Sequence, residues 1–226
     1  MRLLVSVRDA RDAQAAVRGG AAIVDAKDPR RGALGPVTPR MLARIRAAVP
    51  SDIPVSAALG DAATEVVVPR GVVYVKVGLR NVGGAGHARA LAQRAAQGAA
   101  AAGAALVLVA YADASRAGSL PPLAIPDIAA TAGARGVLLD TAFKDRGSLF
   151  DLLDVAQVAQ WLAAARAAGL FTALAGSLGE PGLRTAHALG ADIVGVRGAA
   201  CDGGRSGRVS AARVAALSAL VAAAVA

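Results

Sequence analysis

A short phrase recurs along this chain: helix-forming residues, a glycine, then an unbroken apolar run. It occurs at Gly19-Gly20-Ala21-Ala22-Ile23-Val24, at Gly103-Ala104-Ala105-Leu106-Val107-Leu108-Val109 and at Gly133-Ala134-Arg135-Gly136-Val137-Leu138-Leu139. It returns at Gly169-Leu170-Phe171-Thr172 and Gly190-Ala191-Asp192-Ile193-Val194. A glycine after a helix takes the left-handed conformation that ends it. A following run with no polar alternation is a strand buried on both faces, as in parallel sheets covered by helices. Repetition of the unit predicts consecutive βα units.

Eight strands are predicted, over about 2–7, 21–27, 54–59, 72–78, 105–111, 136–141, 171–176 and 192–197. Helices are predicted over about 9–18, 38–48, 86–102, 122–132, 151–168, 180–189 and 211–224. Pro39 suits a first helical turn, and Asp151 or a neighbour can start the helix after strand six. Eight strands with crossover helices at 226 residues predict one (β/α)8 TIM barrel over residues 1–226. An open doubly wound sheet is the alternative, but no glycine-rich dinucleotide fingerprint follows strand one. The β3–β4 connection is shortened: residues 61–71 are too few for a full helix, and Pro69 opposes one, so a loop or single turn is expected.

The positive charge is distributed in an informative way. Of 25 Lys and Arg residues only three are lysines, Lys27, Lys76 and Lys144, and each follows or ends an apolar run. An arginine stays protonated, whereas a lysine amine can become neutral and nucleophilic. Barrel active sites lie at the C-terminal ends of the strands. There strand two ends in Asp25 and Lys27, whose side chains share a face because residues two apart on a strand point the same way. Strand four ends near Lys76, strand five at Tyr111 and Asp113, and strand six at Asp140 with Lys144 four residues on. Three ammonium groups in one mouth repel, which lowers the pKa of at least one; Asp25 and Asp140 can hold the others charged and relay protons. Such a set suits amine catalysis on a carbonyl compound. Solvated strand-end charges are the plainer reading of any one of them.

Gly176 and Ser177 after strand seven, and Arg197 and Gly198 after strand eight, predict a phosphate site. Loops there expose backbone N–H groups, and Arg197 can add a charge-assisted hydrogen bond. Asp202-Gly203-Gly204-Arg205 follows; Gly203-Gly204 alone reads as a flexible loop, but with Gly176-Ser177 at the neighbouring strand it reads as part of the anion site.

No metal site and no cofactor are expected, since His87 and His187 lack ligand-like spacing. Cys201, the single cysteine, fits a reducing compartment and is read as structural or incidental. Trp161 is read as packing. The net charge of +9 and pI near 11.1 raise nucleic-acid binding, but the arginines are dispersed and no aromatic residues interleave with them. The expected partner is a small phosphorylated substrate, with no nucleic acid and no membrane. The alanine-rich stretch 95–112 is broken by Gln97, Gly98 and Gly103, and the N-terminus lacks a signal-peptide pattern, so a cytoplasmic protein is expected.

The motifs Leu3-Leu4-Val5-Ser6, Val24-Asp25-Ala26-Lys27-Asp28-Pro29, Gly32-Ala33-Leu34-Gly35 and Tyr74-Val75-Lys76-Val77-Gly78-Leu79 form the first half of a longer pattern. Ala110-Tyr111-Ala112-Asp113, Leu139-Asp140-Thr141-Ala142-Phe143-Lys144-Asp145, Leu174-Ala175-Gly176-Ser177 and Val194-Gly195-Val196-Arg197-Gly198-Ala199-Ala200-Cys201 complete it. In this order, from residue 3 to about residue 208, they resemble the (5-formylfuran-3-yl)methyl phosphate synthase family. The resemblance implies a barrel that joins two glyceraldehyde 3-phosphate molecules, losing one phosphate and two waters, to make the furan precursor of methanofuran or methylofuran. It implies that Lys27 is the Schiff-base lysine, that Asp25, Lys76, Asp140 and Lys144 complete the site, and that the protein is a homo-oligomer. The family carries a longer Ala/Gly-rich helix where this chain has its short 61–71 segment. Two other readings stay open at this point: an aldolase-like barrel acting on another sugar phosphate, and a basic nucleic-acid-binding protein.

Overall fold

Each glycine that ends a predicted helix proves to be left-handed: Gly20, Gly103, Gly133, Gly169 and Gly190 have φ between 72° and 83°. The chain therefore reverses at these points and enters a strand. The computed structural model describes residues 1–61, 68 and 70–223. Its strands are β1 (Arg2–Val7), β2 (Ile23–Ala26), β3 (Val55–Asp61), β4 (Tyr74–Gly78), β5 (Ala105–Tyr111), β6 (Gly136–Asp140), β7 (Phe171–Leu174) and β8 (Ile193–Val196). All eight pair in parallel, in sequence order, and β8 returns to β1 to close a (β/α)8 barrel.

The strands are one or two residues shorter than the apolar runs at several ends, while β3 runs on to Asp61. Lys27 lies just beyond β2, although its amide still donates to Val7 O at 2.9 Å and continues the ladder. The expected loop between β3 and β4 falls on residues 62–67 and 69, outside the described residues.

Around the barrel lie α1 (Ala10–Arg18), α2 (Pro39–Ala47), α3 (Ala85–Ala101), α4 (Ala114–Ala117), α5 (Ile125–Thr131), α6 (Leu149–Leu152), α7 (Val155–Ala167), α8 (Glu180–Ala188) and α9 (Ala211–Ala223). Asp9 and Thr38 cap α1 and α2, accepting from the amides of Asp12 and Met41. Two predicted helices are corrected. The segment 151–168 is broken before Asp154, which caps α7 in a reciprocal box with Gln157, while Ser148 and Asp151 form a box on α6. The segment 122–132 opens as a 3-10 turn, Pro122–Ala124, before α5. The short α4 and an antiparallel ribbon, β9 (Cys201–Asp202) with β10 (Arg208–Val209), were not expected.

Alternation along each strand separates two cores. Val5, Val7, Val24, Val75, Leu108, Leu139 and Val194 face outward and pack under the helices. Ile23, Val107, Val109, Tyr111, Leu138 and Ile193 fill the barrel interior with the partly buried Leu4, Tyr74 and Phe171. Trp161 packs in the outer core, its indole N–H donating to Pro122 O at 3.1 Å. Among the described residues no helix is long and apolar enough to cross a membrane.

Candidate active site

Register decides which polar groups meet inside the barrel. Ser6 of β1 lies beside Asp25 of β2, and Asp25 beside Ser56 of β3. All three point inward, so two hydroxyls flank one carboxylate. Ser56 Oγ donates to Asp25 Oδ1 at 2.7 Å and Ser6 Oγ to Oδ2 at 3.0 Å. Lys76 of β4 completes the group with Nζ at 2.6 Å from Asp25 Oδ2. Asp25 is wholly buried, and burial alone would raise its carboxyl pKa. The charges of Lys76 and Lys27, with the hydrogen bonds from Lys76 and Ser56, outweigh that and hold it below the usual carboxylate range.

A second pair forms at the end of β6. Lys144 Nζ lies 2.6 Å from Asp140 Oδ1, and donates to Thr141 O and Oγ1 at 2.7 and 2.8 Å. Asp140 also accepts from the Thr141 amide at 2.7 Å. Burial opposes its ionisation, but Lys144 and Lys27 prevail and the carboxyl is lowered to about 2. Asp113, after β5, accepts from the amides of Ala142 and Phe143 at 2.7 and 2.9 Å and so shapes the turn that carries Lys144.

Lys27 stands between these pairs and joins neither. Among the described residues its amine has no carboxylate within 4.0 Å and no hydrogen bond, although the residue is only 7% exposed. Burial is the main reason its pKa falls to about 8; Lys76 and Lys144 push the same way, while Asp140 and Asp25 oppose them. The three lysines and Asp140 line a cavity of ≈ 340 Å³ that descends from the loops after β7 and β8 to Tyr74 and Phe171 deep in the barrel.

The other wall is neutral backbone. Gly176 and Ser177 are consecutive left-handed residues, with φ 107° and 52°, and a Cβ at Gly176 would press on Thr141 Cγ2 at 3.0 Å. Gly198 opens a 3-10 turn, Gly198–Ala200, directly after β8. All three residues line the cavity.

The model of the 4-HFC-P synthase family matches residues 3–218. The chain is 41% identical over 223 residues to the (5-formylfuran-3-yl)methyl phosphate synthase of Methanothermobacter thermautotrophicus, with 92% of this chain and 94% of the relative covered. It is 40% identical to the enzyme of that name from Methanocaldococcus jannaschii, at the same coverage. The chain belongs to this synthase family. Among solved structures it is similar to 3-hexulose-6-phosphate synthase (TM-score 0.63, 18% identity, 100% of both chains). It is likewise similar to phosphoribosyl anthranilate isomerase from Thermus thermophilus (TM-score 0.63, 16% identity, 99% of both chains). At those identities the likeness shows the barrel alone.

Within this synthase-family barrel, Asp25, Lys27, Lys76, Asp140 and Lys144 converge from β2, β4 and β6, while Gly176, Ser177 and Gly198 gather opposite them. Arg197 lines the cavity too, but most of its donors are already engaged. Its guanidinium forms a buried ion pair with Asp12 at 2.8 Å and donates to Ser6 O, Arg205 O and Gly207 O at 2.9, 3.2 and 2.8 Å. With four protein acceptors it holds the loop after β8 in shape. Cys201 is buried, and burial raises its thiol pKa, the opposite of what a thiolate nucleophile needs.

Three contributors had escaped sequence reasoning: Ser6, Ser56 and Asp12. The two serines were readable as polar residues at inward positions of apolar strands, but their target depends on register. A further polar contact closes the interior at β3 and β5. The buried Tyr111 donates to Asp61 Oδ1 at 2.5 Å, and burial followed by the Asp61 charge raises the phenol pKa well above its ordinary value. Gly78 is needed beside them, because a Cβ there would come within 2.0 Å of that carboxylate oxygen.

Proposed function

We propose that this chain makes (5-formylfuran-3-yl)methyl phosphate from two molecules of glyceraldehyde 3-phosphate, with loss of one phosphate and two waters, through an imine on Lys27. The observation that carries the reading is a buried, unpaired lysine set between two ion-paired ones in a member of this family. With a pKa of about 8, about a tenth of the Lys27 amines are neutral at pH 7; an ordinary lysine has well under about 0.1%. The neutral amine adds to the aldehyde carbon, and the carbinolamine loses water to give a protonated imine. That cation acidifies the adjacent C–H, so a base can remove the proton and prepare loss of the phosphate at the next carbon.

The paired groups suit the accompanying proton transfers. Asp140 and Lys144, at the cavity wall, serve as base and acid for the carbons and oxygens above Lys27. Asp25 and Lys76 lie deeper and fix the charge beneath it. The backbone at Gly176, Ser177 and Gly198 receives a phosphate. The reaction is redox-neutral, so amine, acid–base groups and anion site suffice without a metal or organic cofactor. With this reading go a single barrel domain, a cytoplasmic location, no nucleic-acid partner and assembly as a homo-oligomer.

The test is incubation with glyceraldehyde 3-phosphate alone. We expect the ultraviolet absorption of a furan aldehyde, with one inorganic phosphate released per product. A non-absorbing aldol product would favour an aldolase-like barrel and sink the furan assignment.

A further inference from the structure

We propose that Arg205 binds the substrate phosphate and, with the same guanidinium, latches the turn that follows Lys27. The proposal rests on the reading that the substrate is a phosphate ester, and it concerns how that ester is held.

Arg205 stands at the tip of a hairpin built to place it. The ribbon of β9 and β10 closes the base, and Gly203 and Gly204 turn the chain with φ of 78° and 72°. Gly207 packs so tightly that a Cβ would lie 1.7 Å from Asp202 O. Arg197 then grips the tip from below, its Nε donating to the Arg205 carbonyl and its Nη2 to that of Gly207. One arginine is spent on positioning the backbone of another.

The guanidinium so placed lines the cavity with Gly176, Ser177 and Gly198. Among the described residues it has no carboxylate partner within 4.0 Å, and Asp140 of the same cavity acts on its charge only from a distance. Its Nη2 donates to Gly32 O at 3.0 Å and to Pro29 O at 3.4 Å. Its Nε and Nη1 have no protein acceptor among the described residues. An arginine presents its donors in a rigid plane matched to phosphate oxygens, and here a part of that plane is left for the cavity.

The tie to Pro29 and Gly32 gives the contact a second consequence. Among the described residues these are the only hydrogen bonds from residues 28–36 to the rest of the protein; the others close the turn on itself, as Asp28 N to Gly35 O does at 2.8 Å. This turn leaves β2 directly after Lys27. A phosphate on the free donors and carbonyls on Nη2 require the same rotamer, so the ordering cost is met once for both. Phosphate binding and docking of the turn are therefore positively coupled, and the coupling is reciprocal.

Inorganic phosphate is the probe, since it reports the site without turnover; the furan assay on the wild type separately judges the reaction. Calorimetric titration and hydrogen exchange of residues 28–35 would be measured for the wild type, Arg205→Gln, Arg205→Lys and Arg116→Gln. We expect Arg205→Gln to raise the phosphate Kd by about 10- to 100-fold. Phosphate should slow exchange in the turn in the wild type and not in Arg205→Gln. Arg205→Lys, which keeps the charge and loses the planar fork, should bind phosphate with an intermediate Kd and lose the protection. Arg116→Gln, which removes an exposed charge paired with Asp145, should behave as the wild type. An unchanged Kd in Arg205→Gln, an equal loss in Arg116→Gln, or no phosphate-dependent protection in the wild type would each overturn the proposal.

Discussion

Lys76 and Lys27 occupy one cavity and are nearly equally buried, at 4% and 7% exposed, yet the fold treats them oppositely. Lys76 is given a carboxylate at 2.6 Å, and that carboxylate is braced by two serines. Lys27 receives charge from Asp25 and Asp140 only at a distance, while burial and two neighbouring ammonium groups press it toward neutrality. Pairing keeps a buried amine as a fixed cation; withholding the pair makes it a nucleophile. The sharpest break of this contrast is Lys27→Arg, which keeps a cation but removes the only nucleophilic nitrogen proposed. Furan formation should fall on the order of 10⁴-fold or more, the scale of losing a covalent nucleophile. Borohydride in the presence of glyceraldehyde 3-phosphate should label Lys27 in the wild type and no lysine in the variant. A label on Lys76 or Lys144 would show that pairing does not decide which amine reacts.

The converse experiment removes the partner from Lys76. Asp25→Asn is nearly isosteric but strands a buried ammonium, which costs about 3–5 kcal/mol of stability. Urea unfolding at pH 7 measures it. Adding Lys76→Met, which removes the stranded charge, should return most of that stability while furan formation stays abolished. A double variant as unstable as the single one would mean that the loss arises from the serine contacts instead of the ion pair.

The field that sets Lys27 can also be moved. Imine formation requires the neutral amine, so the rate of borohydride trapping should rise with pH through a midpoint near 8. Asp140 holds that midpoint up, hence Asp140→Asn should lower it, by about 1 unit. The linkage to stability has opposite signs for the two groups. Asp140, depressed to about 2, contributes stability that is present above its unfolded pKa and lost as pH falls toward 2. Lys27, depressed from 10.5 to about 8, costs stability at neutral pH, and that cost is relieved as pH rises from 8 to 10.5. An unmoved or raised trapping midpoint in Asp140→Asn would show that Asp140 does not act on Lys27.

These contrasts explain what could be read before the fold was known. The repeated glycine-to-strand phrase carried the barrel, because helix termination and double-sided burial are local properties that residues such as Gly103 and Val107 reveal directly. The lysines were legible through their scarcity among arginines, and their strand-end positions put them at one mouth. Which lysine is unpaired was not legible: it depends on Asp25 leaning toward β4 and Asp140 toward its own turn, and both distances are set by closure of the barrel. What else Arg197 holds was hidden for a related reason. Its position after β8 suits a phosphate ligand, but Asp12, 185 residues away in sequence, claims the guanidinium. The break between α6 and α7 was likewise hidden, since Leu153 and Asp154 sit in a stretch otherwise good for helix and only the capping contacts of Asp154 show where a new one starts.

The smallest effect tests the bracing of the paired lysine. Ser56→Ala removes the shorter of the two hydroxyl contacts to Asp25, 2.7 Å against 3.0 Å for Ser6, and both acceptors belong to one buried carboxylate. A hydrogen bond to a charged group is worth about 1.5–3 kcal/mol, so Ser56→Ala should lose an amount in that range and Ser6→Ala less. Since the lost bond stabilised the ionised carboxyl, the acid side of the stability profile should retreat to higher pH in Ser56→Ala. Burial, the other two lysines and the two aspartates set the charge of Lys27, and neither serine hydrogen-bonds to it. The trapping midpoint should accordingly stay near 8 in both serine variants while their stability falls. A midpoint that moved with stability would mean that the two lysines share one support, and that the division between a fixed cation and a free nucleophile is not built in separately.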